Sequence, residues 1–144
     1  MKVRDILTRK GEEVFTVGPG QSVDQALGLL VDHDIGSLVV VDDGTVHGIL
    51  TERDILRLAN RDPTGLGATR VSELMTRSLI IGVPDDEVYY VMEIMTRNRV
   101  RHLPVLEDDR LVGIVSIGDV VNHIRRDVEA ENRYLKNYVQ GMVR

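Results

Sequence analysis

From Val23 onward the apolar residues fall in a helical rhythm. Ala26, Leu27, Leu30 and Val31 follow at i+3, i+4, i+7 and i+8, which predicts an amphipathic helix. Ser22 and Gln25 stand where a capping box would open it. The same rhythm returns at Val88, Val91, Met92 and Met95 and predicts a second helix. After each helix the pattern changes to two short β-rich runs around a turn. The first pair is Ser37 to Val41 and Val46 to Leu50, joined through Asp42-Asp43-Gly44, where Asp-Gly is a hairpin signal. The second pair is His102 to Leu106 and Leu111 to Val115, joined through Glu107 to Arg110. Ahead of each helix lies a further short β segment, Val14 to Val17 and Leu79 to Val83, leading into a turn with Pro19 or Pro84. A closing helix begins near Thr51 and again near Ser116.

The order strand–helix–strand–strand–helix therefore occurs twice, and the residues themselves repeat. Val3-Arg4-Asp5-Ile6-Leu7-Thr8-Arg9 returns 68 positions later as Val71-Ser72-Glu73-Leu74-Met75-Thr76-Arg77. Gly48-Ile49-Leu50-Thr51-Glu52-Arg53-Asp54 returns 65 positions later as Gly113-Ile114-Val115-Ser116-Ile117-Gly118-Asp119. The first copy thus carries three extra residues around Arg9 to Glu13, read here as a lengthened loop. The Gly- and Pro-containing stretch from Asn60 to Gly67 reads as a linker. The expected organisation is repeat one over 1–60, a linker over 61–70, repeat two over 71–125 and a helical extension over 126–144. The fold class is α+β: two pseudo-symmetric β-α-β-β-α repeats. Each is too small to stand alone, so the two are expected to pack through their sheets, with equivalent loops facing a shared cleft. Beyond the second repeat, Val121, Val128, Leu135 and Met142 recur every seven residues, with Ile124 and Tyr138 on the same side. This stripe is interrupted by Glu131 and is expected to end around Gly141. It either packs back on its own subunit or serves self-association.

Composition narrows the chemistry. With 42% hydrophobic, 28% charged and 3% aromatic residues, the chain is an ordinary globular one with an aliphatic core. The absence of Cys excludes disulfides, thiolate metal sites and cysteine nucleophiles, and the four His residues are too dispersed for a zinc helix. No metal site is expected. A net charge of −5 argues against nucleic-acid binding. No apolar run approaches the roughly 20 residues that span a bilayer, and the start Met1-Lys2-Val3-Arg4-Asp5 has no apolar signal-peptide core. The cytoplasm is the expected compartment, with no membrane partner.

The candidate chemistry lies in the paired constellation Gly48…Thr51…Asp54 and Gly113…Ser116…Asp119. The Thr or Ser can cap the helix that follows, leaving backbone donors and the positive end of the helix dipole for an anion. An Asp in the first turn can accept two hydrogen bonds from a vicinal diol such as that of ribose. A simple capping role accounts equally for either copy alone.

At this point the sequence resembles the cystathionine-β-synthase-type (CBS) domain family, over about residues 3–125. The resemblance rests on the paired Gly-Ile-(Leu/Val)-(Thr/Ser)-x-x-Asp, on Arg101-His102-Leu103-Pro104-Val105, and on the Val-x-(Asp/Glu)-(Ile/Leu)-(Leu/Met)-Thr starts. It implies a stand-alone tandem pair that needs no cofactor and binds an adenosyl ligand: AMP foremost, with ADP, ATP or NAD(H) as alternatives. By the same resemblance Asp54 and Asp119 hold ribose, and Thr51 and Ser116 approach phosphate. Thr16, Val17, Ile35, Gly36 and Ser37 line one base pocket, and Ile81, Gly82, Val100, Arg101 and His102 line the other.

The copies differ where the second strand begins, with Asp32-His33-Asp34-Ile35-Gly36-Ser37 in one and Arg97-Asn98-Arg99-Val100-Arg101-His102 in the other. The arginines and histidine look like a phosphate clamp, and Arg53 is a further candidate. Arg97 reads as solvated surface. The site around Asp119 is therefore expected to hold phosphorylated ligands more tightly. The functional reading is a regulatory, nucleotide-sensing module without catalysis, signalling to an unidentified protein and forming a homodimer. Its rivals are a nucleotide-independent scaffold and an enzyme acting on nucleotides. The enzyme reading lacks a Gly-x-x-x-x-Gly-Lys loop, a catalytic triad and a base with a tuned pKa.

Overall fold

The helical rhythms and the β runs settle into two small α+β halves and one long C-terminal helix. The structure is a computed structural model that describes residues 1–11 and 13–143, with backbone alone for 142 and 143. In the first half, α2 (Val23–His33) is opened by the anticipated capping box, the Ser22 hydroxyl accepting the Gln25 N–H and the Gln25 side chain accepting the Ser22 N–H, both at 3.1 Å. It leads to the hairpin of β2 (Ser37–Asp42) and β3 (Thr45–Thr51), then to α3 (Glu52–Arg61). Asp43 and Gly44 both have positive φ at the hairpin turn, as a type I′ turn requires. The second half repeats this with α5 (Val88–Asn98), β4 (His102–Glu107) and β5 (Arg110–Ser116). Its turn places Asp108 and Asp109 at positive φ.

The expected β segment before each helix is realised unequally. In the first half β1 (Thr16–Val17) joins β2 in parallel, with Thr16 opposite Val39 and Val17 opposite Val40. Leu79 to Val83 does not form a strand: Gly82 alone bridges to Val105. Pro104 occupies the position of Val39 in this half, and a proline has no N–H to continue a ladder. Gly82 nevertheless sits tight on β4, its N–H bonded to Pro104 O and its carbonyl to Leu106 N, both at 2.9 Å.

Two elements escape the hydrophobic pattern, and they organise the molecule. The repeated Val-x-(Asp/Glu) starts are helices, α1 (Val3–Lys10) and α4 (Val71–Leu74). They are exchanged between the halves. Val3, Ile6 and Leu7 of α1 complete the core built from Val88, Val91, Met95, Leu103, Val105, Val115 and Val120. Val71 of α4 and Met75 just after it complete the core of Val17, Val23, Ala26, Leu30, Leu38, Val40, Leu50, Ile55 and Leu58. Backbone bonds pin each exchange: Val3 N to Asp86 O and Val88 N to Met1 O on one side, Val71 N to Gln21 O and Val23 N to Thr69 O on the other. Helix α1 runs to eight residues against four in α4, its last four residues, Leu7 to Lys10, standing where Met75 to Ser78 have left the helix. The closing helix of the second half, α6, runs without a break over Ile117–Val143, so the extension is its continuation and Gly141 does not end it.

The glycine of each Gly-Ile motif now has a reason. A Cβ on Gly48 would lie 2.7 Å from the Thr76 carbonyl oxygen and 2.9 Å from the Met75 sulfur; on Gly113 it would lie 2.6 Å from Leu7 Cδ2. Both glycines make room for the exchanged segment, helix α1 at Gly113 and the residues just after α4 at Gly48, and the two partners, Leu7 and Met75, are themselves repeat equivalents. Ala at either position overpacks the contact, with a cost of about 1–3 kcal/mol. Because Gly48 faces backbone and Gly113 faces the mobile end of a leucine, urea unfolding of Gly48→Ala is expected to show the larger loss. Equal or negligible losses would show that the helices are not seated on these glycines.

Candidate functional site

Thr51 and Ser116 end β3 and β5 and cap the helices that follow. Asp54 N–H donates to Thr51 Oγ1 at 3.2 Å, and Thr51 N–H to Asp54 Oδ2 at 3.0 Å. Asp119 N–H donates to Ser116 Oγ at 3.1 Å, and Ser116 N–H to Asp119 Oδ2 at 2.8 Å. Each Asp is thus fixed in place by its own capping box, with one carboxylate oxygen committed to it.

Two cavities open between the halves, and each draws on both copies. The larger, about 620 Å³, lies between the start of α3 and the approach to β4, and is lined by Thr51, Arg53, Val100, Arg101, His102 and Ser116 among others. Arg57, one turn beyond Arg53, and Arg99 also line it, so four arginines face one acid, Glu52. A contiguous cavity of about 280 Å³ shares Arg53, Arg99, Val100, Arg101 and Ile117. The second inter-half cavity, about 350 Å³, takes Ile35, Gly36 and Ser37 from the first copy and Ser116 from the second. Its charged lining is Lys10, Glu13 and Asp34. Asp34 and Arg99 are equivalent left-handed residues capping α2 and α5. Their opposite charges make one cavity basic and the other mixed.

The remaining candidates stand outside these cavities. Thr16 and buried Val17 belong to the ladder of β1, Ile81 is exposed beside the Gly82 bridge, and Asp54 and Asp119 sit one turn behind their capping residues. Arg97 is surface-exposed and pairs with Glu93 on its own helix. Arg101 stands at the start of Asp119's helix, its carbonyl accepting the Ile117 N–H at 2.8 Å, and it opens onto the cavity that Thr51 and Arg53 share with Ser116 and Ile117. The basic charge therefore gathers between the two helix starts, Arg53 and Arg57 coming from one copy and Arg99 and Arg101 from the other.

Lys10 is the residue that the sequence reading missed. The added turn of α1 carries its ammonium to Asp119 Oδ2 at 2.7 Å and to the Ile114 carbonyl at 2.9 Å. Its repeat equivalent is Ser78, and Asp54 has no ion-pair partner among the described residues. Partial burial alone pushes the Asp119 carboxyl up, but the Lys10 ammonium and the bonds from Ser116 outweigh it and hold the pKa below the ordinary carboxylate value. Arg57, also missed, was legible as the i+4 neighbour of Arg53 on a helix. His102 lines both cavities, with its Nε2 against Gly36. Burial is the main influence on its imidazole and lowers the pKa. Arg101 and Lys10 reinforce that shift, while Glu52 and Asp119 oppose it.

The chain belongs to the CBS-domain family, whose model matches twice, over residues 3–61 and 71–126. It is 37% identical over 121 residues to the CBS domain-containing protein YhcV of Bacillus subtilis, covering 82% of this chain and 81% of that one. Among solved structures it is similar to the CBS-domain containing protein ATU1752 of Agrobacterium tumefaciens, with 44% identity, a TM-score of 0.82, and 85% and 98% of the two chains covered. It also resembles the CBS domain pair of protein MJ0100, solved in complex with methylthioadenosine and S-adenosylmethionine. There the identity is 29% and the TM-score 0.77, with 88% of this chain and 98% of that chain covered. The chain is thus a CBS pair, the architecture of a regulatory module.

The ion pair makes an acid-stability prediction. A carboxylate with a lowered folded pKa contributes stability that is complete above its unfolded value and is lost as pH falls through the folded one. Lys10→Met is expected to lower stability by about 1 kcal/mol at neutral pH, the scale of a partly buried charged hydrogen bond. Denaturant titrations should show the two proteins converging at pH values below the Asp119 titration. A deficit that does not change with pH would assign Lys10 to packing alone.

Proposed function

We propose that this CBS pair is a non-catalytic sensor that binds an adenosyl ligand between its halves, with the ligand's phosphate in the arginine-lined cavity at the start of α3. The observation that carries the reading is the convergence of Arg53, Arg57, Arg99 and Arg101 on a cavity of about 620 Å³ that also holds the capping Thr51. That volume suits a nucleotide-sized ligand. Arginine forks match phosphate oxygens, and the helix start adds oriented N–H donors. Asp54 and Asp119 each keep Oδ1 clear of the capping box for a ribose diol, and Asp119 differs in carrying the Lys10 ammonium on Oδ2. Val100 and Ile49 supply apolar wall for a base in this cavity, while Ile35, Gly36 and Ser37 line the second cavity. AMP is the foremost ligand, ADP, ATP and NAD(H) being the alternatives. The adenosyl compounds bound by the MJ0100 pair support the class. A homodimer in the cytoplasm passing ligand state to a regulated protein completes the proposal. No helix of the described residues is long and apolar enough to cross a membrane.

A thermal-shift panel of AMP, ADP, ATP, NAD, NADH and S-adenosylmethionine tests this reading. Ligand at 100 times its dissociation constant stabilises by about 2.7 kcal/mol, which for a chain of this size is on the order of 5 °C. In calorimetry Arg101→Ala and Asp54→Ala are expected to weaken AMP at least tenfold, and Arg101→Ala to erase the preference for AMP over adenosine. No shift with any adenine nucleotide would leave the scaffold reading in its place.

The lowered pKa of His102 adds a proton linkage. A neutral, half-buried imidazole beside a bound phosphate gains a proton more readily than in the free protein, so AMP affinity should rise as pH falls from 8 to 6. The free protein behaves oppositely, losing stability on the same descent because the unfolded His102 binds protons first. His102→Gln should flatten both trends; unchanged slopes would exclude His102.

A further inference from the structure

Beside the arginine-lined cavity lies a contiguous annex of about 280 Å³. Arg53 reaches it from α3, Thr96, Arg99 and Arg101 from the end of α5 and the approach to β4, and Ile117 from the start of α6. Three arginines thus surround it, and among the described residues no carboxylate lines it. Arg97, two residues before Arg99, is paired with Glu93 on its own helix, whereas Arg53, Arg99 and Arg101 enter no ion pair among the described residues. Thr96 donates its hydroxyl proton to the Met92 carbonyl at 2.8 Å, which leaves the guanidiniums as the side-chain donors of the annex. The end of a helix ordinarily disfavours an anion. Here the carbonyls at the end of α5 are already engaged: the Arg99 N–H reaches those of Met95 and Thr96, and the Val100 N–H bonds that of Met95 at 3.0 Å. Arg53 and Ile117 stand in the first turns of α3 and α6, whose positive ends favour negative charge.

The basic cluster belongs to this one place and not to the repeat. At the equivalent positions of the other copy, 65 residues away, Arg53, Arg57, Arg99 and Arg101 are answered by Gly118, Asn122, Asp34 and Gly36. A cation at a helix C-terminus is favourable in itself, yet α2 ends on Asp34 at the same cap, so the cap does not require one. Four arginines face one carboxylate, Glu52, across the larger cavity and its annex. A monophosphate brings about two negative charges, which leaves positive charge unmatched on the annex side. We propose that the annex is a second oxyanion site, taking a phosphoryl group beside the one bound at the start of α3. Its occupant is the outer phosphate of a bound nucleoside diphosphate, or free inorganic phosphate. The first source rests on the nucleotide reading above, and the second does not. Arginine forks suit either, because both present the same tetrahedral oxygens.

Thr96 lines the annex but not the larger cavity, and its side chain is exposed. Thr96→Glu therefore sets a carboxylate among the three arginines without disturbing a core, and Thr96→Gln is its neutral control. Calorimetry on the full chain, in phosphate-free buffer at fixed ionic strength, measures inorganic phosphate, AMP and ADP on all three proteins. Inorganic phosphate is expected to bind the parent and Thr96→Gln alike, and Thr96→Glu at least tenfold more weakly, the scale of one charge-assisted bond. ADP should lose as much in Thr96→Glu, and AMP less than threefold. Phosphate uptake by the AMP-saturated parent but not by the ADP-saturated one identifies the nucleotide's outer phosphate as an occupant; uptake by both identifies free phosphate. If neither nucleotide binds while phosphate binds the parent and is lost in Thr96→Glu, the nucleotide reading fails and the annex stands. A Thr96→Glu protein that takes phosphate as its parent does, and loses ADP no more than AMP, would overturn the site.

Discussion

The structure depends on two exchanged segments seated on two glycines that belong to the other copy of the repeat. Each half is a hairpin and two helices with one open flank, too small to close a core. The flank is closed by a segment from the opposite repeat, Leu7 descending on Gly113 and Met75 on Gly48. Backbone bonds at the start of α2 and α5 hold those segments in place. Neither half can complete its core without the other, so the interface between them is a condition of folding. The cavities at that interface therefore inherit fixed walls.

That exchange also breaks the symmetry of the site. A helix longer by four residues on one side only brings a lysine to one aspartate and leaves the other without one. On that other side the thread ends early, and Thr76 pairs with Ile49 on the edge of β3 at 3.0 and 2.9 Å. The two helix C-caps then add opposite charges at equivalent positions, Asp34 and Arg99, each held in the left-handed region. Because the start of β4 faces the start of α3, the arginines gather around Thr51. One cavity becomes suited to an anion and the other does not. Two near-identical motifs have acquired different electrostatics through their neighbours, with their own hydrogen bonds unchanged.

Much of the local structure is legible in the sequence because it is decided by residues close together. The Ser22–Gln25 box, the Asp43-Gly44 turn and the caps by Thr51 and Ser116 each involve residues within three positions of one another, where spacing and side-chain chemistry suffice. The periods of α2 and α5 likewise report their buried faces directly. Leu79 to Val83 misleads because its strand potential is genuine and the obstacle, Pro104, lies in the partner strand. The opening helices are missed because four to eight residues carry too little periodicity to announce a helix.

What the sequence by itself determined is the doubled α+β plan, the capped helix starts and the polar residues that surround them. Only the tertiary structure decided which of them share a cavity. Lys10 reaches Asp119 across 109 positions, and Arg101 shares a cavity with Thr51 of the other repeat, because each half borrows its opening helix from the other. Contacts of that range are set by how two cores exclude water together, and no local pattern of hydrophobic and polar residues records that choice.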